Sequence, residues 1–216
     1  MLDKVVMFEP YSKVSVDEFL PELQLEFPDM PSDAFAHYVL RSIDRIARDG
    51  NVLRRTATIH TERCIENYLL EPPDCMTIVN IMKVCNNGCN CCTNVRRLTS
   101  EPCCMTCGTL TWFQEPNTIL FRNHPSHACF KVTMSVAPTW DTCEVDTLLL
   151  HNHYELVLTG ARYMLMNMSN KPWSSVNRAQ ELKKDFVIGI RSAAIDTMMG
   201  NQRGGITATK PRLRFR

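Results

Sequence analysis

Seven of the eleven cysteines crowd into one stretch: Cys85, Cys89, Cys91, Cys92, Cys103, Cys104 and Cys107. Cys89 with Cys92, and Cys104 with Cys107, form two CxxC pairs. Each pair supplies two thiolates at short reach, and two pairs on facing turns meet the needs of a tetrahedral structural zinc site. Cys91 and Cys103 offer alternative ligands, so the register stays open. The spacing is equally that of buried or loop thiols acting as small apolar residues. Neither reading is catalytic.

Other reactive types gather less tightly. His124 and His127 flank a turn, and His151 and His153 precede an apolar stripe, without the His-x3-His spacing of a helical metal pair. Asp17, Glu18, Glu22, Glu26 and Asp29 form an acidic stretch with the pattern of a solvated face. A phosphate-cradling glycine loop, a nucleophile elbow and an HExxH motif are all missing from the sequence. An active site is therefore not expected.

Residues 201–216 carry Arg203, Lys210, Arg212, Arg214 and Arg216, no acidic side chain, and Gly204-Gly205 and Pro211. Such a segment cannot build a core, and by itself it is expected to be disordered. In an extended chain Leu213 and Phe215 fall on one side and Arg212, Arg214 and Arg216 on the other, the pattern of a strand added to a partner's sheet edge. Fully stretched, the segment reaches at most roughly 55 Å.

The elements that would position these groups follow from periodicity. Ala36, Val39, Leu40, Ile43, Ile46 and Ala47 recur at helical spacing, with Ser32 or Asp33 as cap and Gly50 as the left-handed stop. Six β-branched or aromatic runs follow, Val52–His60, Cys64–Leu70, Met76–Val84, Thr109–Phe113, Thr118–Phe121 and Cys129–Val136, separated by turn residues. Residues 145–169 predict one long helix with a stripe from Leu150 through Tyr154, Val157 and Ala161 to Met168. Gly160 and Ala161 there permit close approach of another helix. After a break at Asn170-Lys171-Pro172, Ser174 or Ser175 caps a second long helix that buries Ala179, Leu182, Phe186, Ile190, Ala193 and Thr197 and closes at Gly200.

The expected fold is α+β. An N-terminal segment and first bundle helix (1–50) precede a β-rich insert (51–144), two long antiparallel bundle helices (145–200) and an extended basic tail (201–216). The sheet is expected to project from the bundle. Net charge is +1 with 22% charged residues, which argues against a wholly nucleic-acid-binding or membrane-binding surface. A signal peptide and a spanning run of ~20 apolar residues are not seen, and manufacture in a cytosol is expected.

Tyr154, Gly160-Ala161, Tyr163 and Leu165, then Lys171-Pro172-Trp173-Ser174, then Ala179 and Phe186, resemble the head–tail adaptor (connector) proteins of tailed bacteriophages. Leu25 to Pro28, Tyr68 to Pro72, and Ala137-Pro138 with Trp140 are compatible with the same family. Asn170 stands where the family has glycine, and the cysteine cluster is foreign to it. The resemblance implies a structural virion protein, without enzymatic activity, that forms a dodecameric ring beneath the capsid's portal. It implies contacts with the portal protein, with tail or nozzle proteins and with copies of itself. Genomic DNA would pass through the lumen without sequence-specific contact, and no membrane is involved. Helix packing is expected at Gly160, Ala161, Pro172, Trp173 and Phe186. The tail residues Lys210, Arg212, Leu213, Arg214, Phe215 and Arg216 are expected to dock into the portal. The competing expectation is a zinc-ribbon module, with Cys89, Cys92, Cys104 and Cys107 as ligands, that binds nucleic acid or regulates.

Overall fold

Helix α2 (Ser32–Gly50) organises the molecule because one of its faces is almost wholly apolar. Phe35, Val39, Leu40, Ile43, Ile46 and Ala47 are buried, while His37, Arg41, Arg45 and Arg48 stay on the outer side. In the computed structural model the described residues are 11–63, 65–86, 93–94, 96–97, 111–115, 117–122, 124 and 127–199. Before α2 lie strand β1 (Lys13–Ser15), a 3-10 turn (Val16–Phe19) and helix α1 (Leu20–Glu26). After it come strands β2 (Arg54–His60), β3 (Asn67–Leu69), β4 (Met76–Asn86), β5 (Thr93–Asn94), β6 (Arg96–Arg97), β7 (Thr111–Glu115), β8 (Thr118–Arg122), β9 (Cys129–Pro138) and β10 (Glu144–Asp146). Helices α3 (Thr147–Asn152), α4 (Tyr154–Met166) and α5 (Val176–Met198) complete the order.

The protein is α+β, with α2, α4 and α5 packed on one another and all described strands but β1 between α2 and α3 in the chain. One four-stranded sheet runs β2-β9-β4-β5 and a second runs β3-β8-β7-β6, while β1 pairs with β10. β9 is the hub of the first sheet, antiparallel to β2 and to β4, and two register shifts against β4 let that edge bend. The two sheets meet where Phe121 of β8 stacks on Phe130 of β9 at 4.5 Å, both rings fully buried.

Several expectations are corrected. The sheet does not project from the bundle: β9 lies against α2, and one continuous apolar core runs from the helices into both sheets. The helix expected over 145–169 is two. At His153 the backbone leaves helical geometry (φ −132°, ψ 18°), after Asp146 has capped α3 by accepting from the Leu148 N–H at 2.8 Å. Leu150 and Met168 therefore do not share a helix with Val157. The left-handed residue ending α2 is Asn51 (φ 48°), not Gly50, which is still helical and has the side chains of Val52 and Ile190 close by. α2 begins at Ser32 with Pro31, not Ser32 or Asp33, in the cap position. α5 starts after Ser175, whose side chain makes no capping bond. The acidic stretch before Pro28 is itself helical, forming the 3-10 turn and α1.

Candidate assembly site

The bundle is held by a tight three-way contact at Gly160. A methyl group built there would overlap the Ser42 hydroxyl of α2 and the edge of the Phe186 ring of α5. Ser42 is fully buried and donates to the Val157 carbonyl at 2.8 Å, and Phe186 is 1% exposed, so neither neighbour has room to yield. Tyr163, one turn on, packs against Phe186 with ring centroids 5.5 Å apart. Ala161 is fully buried on α4. In the α4–α5 connection Asn170 takes a left-handed backbone (φ 59°), Pro172 is exposed, and Trp173 packs edge-on against Phe27 at 6.3 Å. The connection thus ties the segment after α1 to the end of α4.

Charge organises the outer side of α4. Arg162 reaches α1, with Nε 2.9 Å from one Glu26 oxygen and Nη2 3.1 Å from Glu22, while Glu155 stands 3.8 Å away. Burial works against this guanidinium's charge, but the bond and field of Glu26, the field of Glu155 and the bond of Glu22 outweigh it, and its pKa is raised. Burial also raises the Tyr154 pKa, reinforced by the Glu22 carboxylate that its hydroxyl bonds. At the sheet end, Arg55 of β2 pairs with Asp146 while its guanidinium lies over the Tyr11 ring at 4.0 Å.

Two open surfaces among the described residues stand out. The first is a cleft of about 570 Å³ lined by His37, Arg41, Asp44, Arg45 and Trp140, where the His37 ring stacks on the Trp140 indole at 5.9 Å. Two of its polar groups are engaged: Arg45 donates to the Tyr163 hydroxyl and Asp44 accepts from Arg48 at 2.7 Å. The second is α5. Of the large hydrophobic side chains that are exposed among the described residues, Val176, Val187, Ile188, Ile195, Met198 and Met199 all belong to this helix or its flanking residues; the others are Leu25 and Trp140. At 100° per residue, Lys184, Ile188, Arg191, Ile195 and Met199 share one face, opposite the buried Ala179, Phe186, Ala193 and Thr197. On this face the exposed Ile188, Ile195 and Met199 alternate with the exposed Lys184 and Arg191.

No protein-family model and no curated protein matches the chain.

Cys89, Cys92, Cys104 and Cys107 lie outside the described residues, as do Gly200 and the tail residues Lys210, Arg212, Leu213, Arg214, Phe215 and Arg216. Among the described residues no group of three or more His, Cys, Asp or Glu is placed to hold a metal. Of the described cysteines, Cys85 is buried and Cys75 and Cys143 are exposed. No described helix is long and apolar enough to cross a membrane. Sequence reasoning missed the exposed face of α5, although Val187, Ile188, Ile195, Met198 and Met199 fall between the positions of the buried stripe and carried that signal.

Proposed function

We propose that this protein is a structural virion component, a head–tail adaptor that forms a ring under the portal, extends the DNA channel and offers the platform to which the tail attaches. It acts without catalysis. The observation that carries this is the outer face of α5, where Ile188, Ile195 and Met199 remain open beside Lys184 and Arg191 after the helix has buried its other face. A protein whose longest described helix keeps large apolar side chains open on the side away from its core is completed by other chains.

The tight packing at Gly160 and the connection through Trp173 support the same reading, because they occur at the residues that resemble the phage adaptors. In it the basic segment 201–216 of each copy docks into the portal through Leu213 and Phe215, and DNA passes along the lumen without sequence-specific contact. Cosedimentation with the candidate portal tests the docking. The full chain is expected to travel with the portal and a version ending at Gly200 is expected to stay behind; equal binding by both would overturn the role of the tail.

A further inference from the structure

The outer face of α5 has a counterpart on the same molecule. Along α1 and its flanks, Leu25 is 84% exposed, the most open of the large hydrophobics among the described residues. Asp17, Glu18, Glu26 and Asp29 are exposed on this helix and its flanking residues, with Glu22 half-buried. Only Arg162 answers this charge, and it pairs with Glu22, Glu26 and Glu155; Asp17, Glu18 and Asp29 form no ion pair among the described residues. The edge is an apolar knob in a negative field.

The α5 face has the opposite character. Lys184 and Arg191 sit on either side of Ile188 along the helix, and neither forms an ion pair among the described residues. The nearby acid Asp185 lies toward the margin of this face, and Glu181 is held by Arg178 at 2.9 Å. The two surfaces flank α4 on different sides. Arg162 on one side holds α1, whereas Gly160 and Tyr163 on another meet α5.

We infer that the α5 face of one copy receives the acidic α1 edge of the next, with Leu25 set against Ile188 and Ile195, and with Glu18 and Asp29 opposite Lys184 and Arg191. This rests on the ring proposed above, and it states which surfaces close that ring. Joining two different patches is a head-to-tail contact, the kind that closes into a ring when the rotation permits. Size agrees with assembly over dimerisation. A 23-residue helix face about 35 Å long and roughly 10 Å wide offers on the order of 350 Å², below the ~800 Å² per partner of a standard stable pair. Ring closure engages every copy twice and so offsets the shortfall of a single contact.

A charge swap tests it. Carboxyl-to-amine crosslinking of the full chain at high concentration, read by native mass spectrometry, is expected to give a ladder of oligomers for the natural sequence. Lys184→Glu with Arg191→Glu sets acid against acid, and Glu18→Lys with Asp29→Lys sets base against base. Each double variant alone is expected to lose at least tenfold of the oligomer, and a one-to-one mixture to regain it, because both junctions are then complementary. All four positions are exposed, and unchanged circular dichroism verifies folding. Oligomers that survive in both variants would overturn the inference and leave the ring standing. Assembly lost only with the α5 variant would instead identify an α5-to-α5 contact and overturn it too. A natural sequence that stays monomeric here and on the candidate portal would overturn the ring itself.

Discussion

Replacing Gly160 with alanine sets two opposing terms against each other, and the structure says which wins. In an exposed helix, Gly→Ala stabilises by about 1 kcal/mol through backbone entropy and propensity. Here the new methyl overlaps the Ser42 hydroxyl and the Phe186 ring. Overpacking of a closed core costs about 1–3 kcal/mol. Turning Ser42 away also breaks its bond to the Val157 carbonyl, and a buried group left unpaired costs about 1–3 kcal/mol more. The net expectation is destabilisation by about 1–5 kcal/mol, or a melting point lower by roughly 2–4 °C for each kcal/mol in a chain of this size. Gly189→Ala is the control. The methyl there meets chiefly the end of the Leu156 side chain, which can rotate aside, so that variant should fall within about 1 kcal/mol of the parent on either side. Urea denaturation of both, with unfolding slopes compared to verify a two-state transition, measures the difference. If Gly160→Ala is as stable as Gly189→Ala or more so, the close-packed junction of α2, α4 and α5 is wrong.

Asp146→Ala should destabilise by about 3–5 kcal/mol in denaturant, since it leaves the largely buried Arg55 without its carboxylate and removes the α3 cap. Arg162→Met should release α1 from α4, seen as faster amide exchange over residues 20–26 with little change in the β2-β9-β4 sheet. Tyr154 titrates above the ordinary tyrosine range when folded. A group that holds its proton more tightly folded than unfolded contributes stability that is complete below pH 10 and is lost as pH rises through the folded value. Tyr154→Phe should therefore flatten the decline of stability above pH 10, and an unchanged slope would count against the Glu22 contact.

Much of the architecture was legible because the relevant patterns are short-range. The α2 stripe and the α5 stripe through Phe186 are sets of residues three and four apart, and each is buried where expected save Ala36, which is only half-buried. Strands formed at all six expected runs, since β-branched stretches bounded by turn residues signal themselves locally. Breaks set by tertiary contact were not legible. Asp146 caps α3 and meets Arg55 some ninety residues away, and that pairing has no trace in the sequence around His153. The β1-β10 pair joins segments some 130 residues apart in sequence and was equally hidden. At the site, Gly160 announced close packing by its size alone. The exposed α5 face went unnoticed because scanning for one apolar stripe absorbs a helix that has two.

The central assignment is tested most directly by imaging. The whole 216-residue chain mixed with the candidate portal and viewed by electron microscopy should add a coaxial ring to the capsid-distal end of the portal, with the portal's own rotational symmetry and an open channel. A portal particle unchanged after mixing, at concentrations where the protein is folded and in excess, would contradict it.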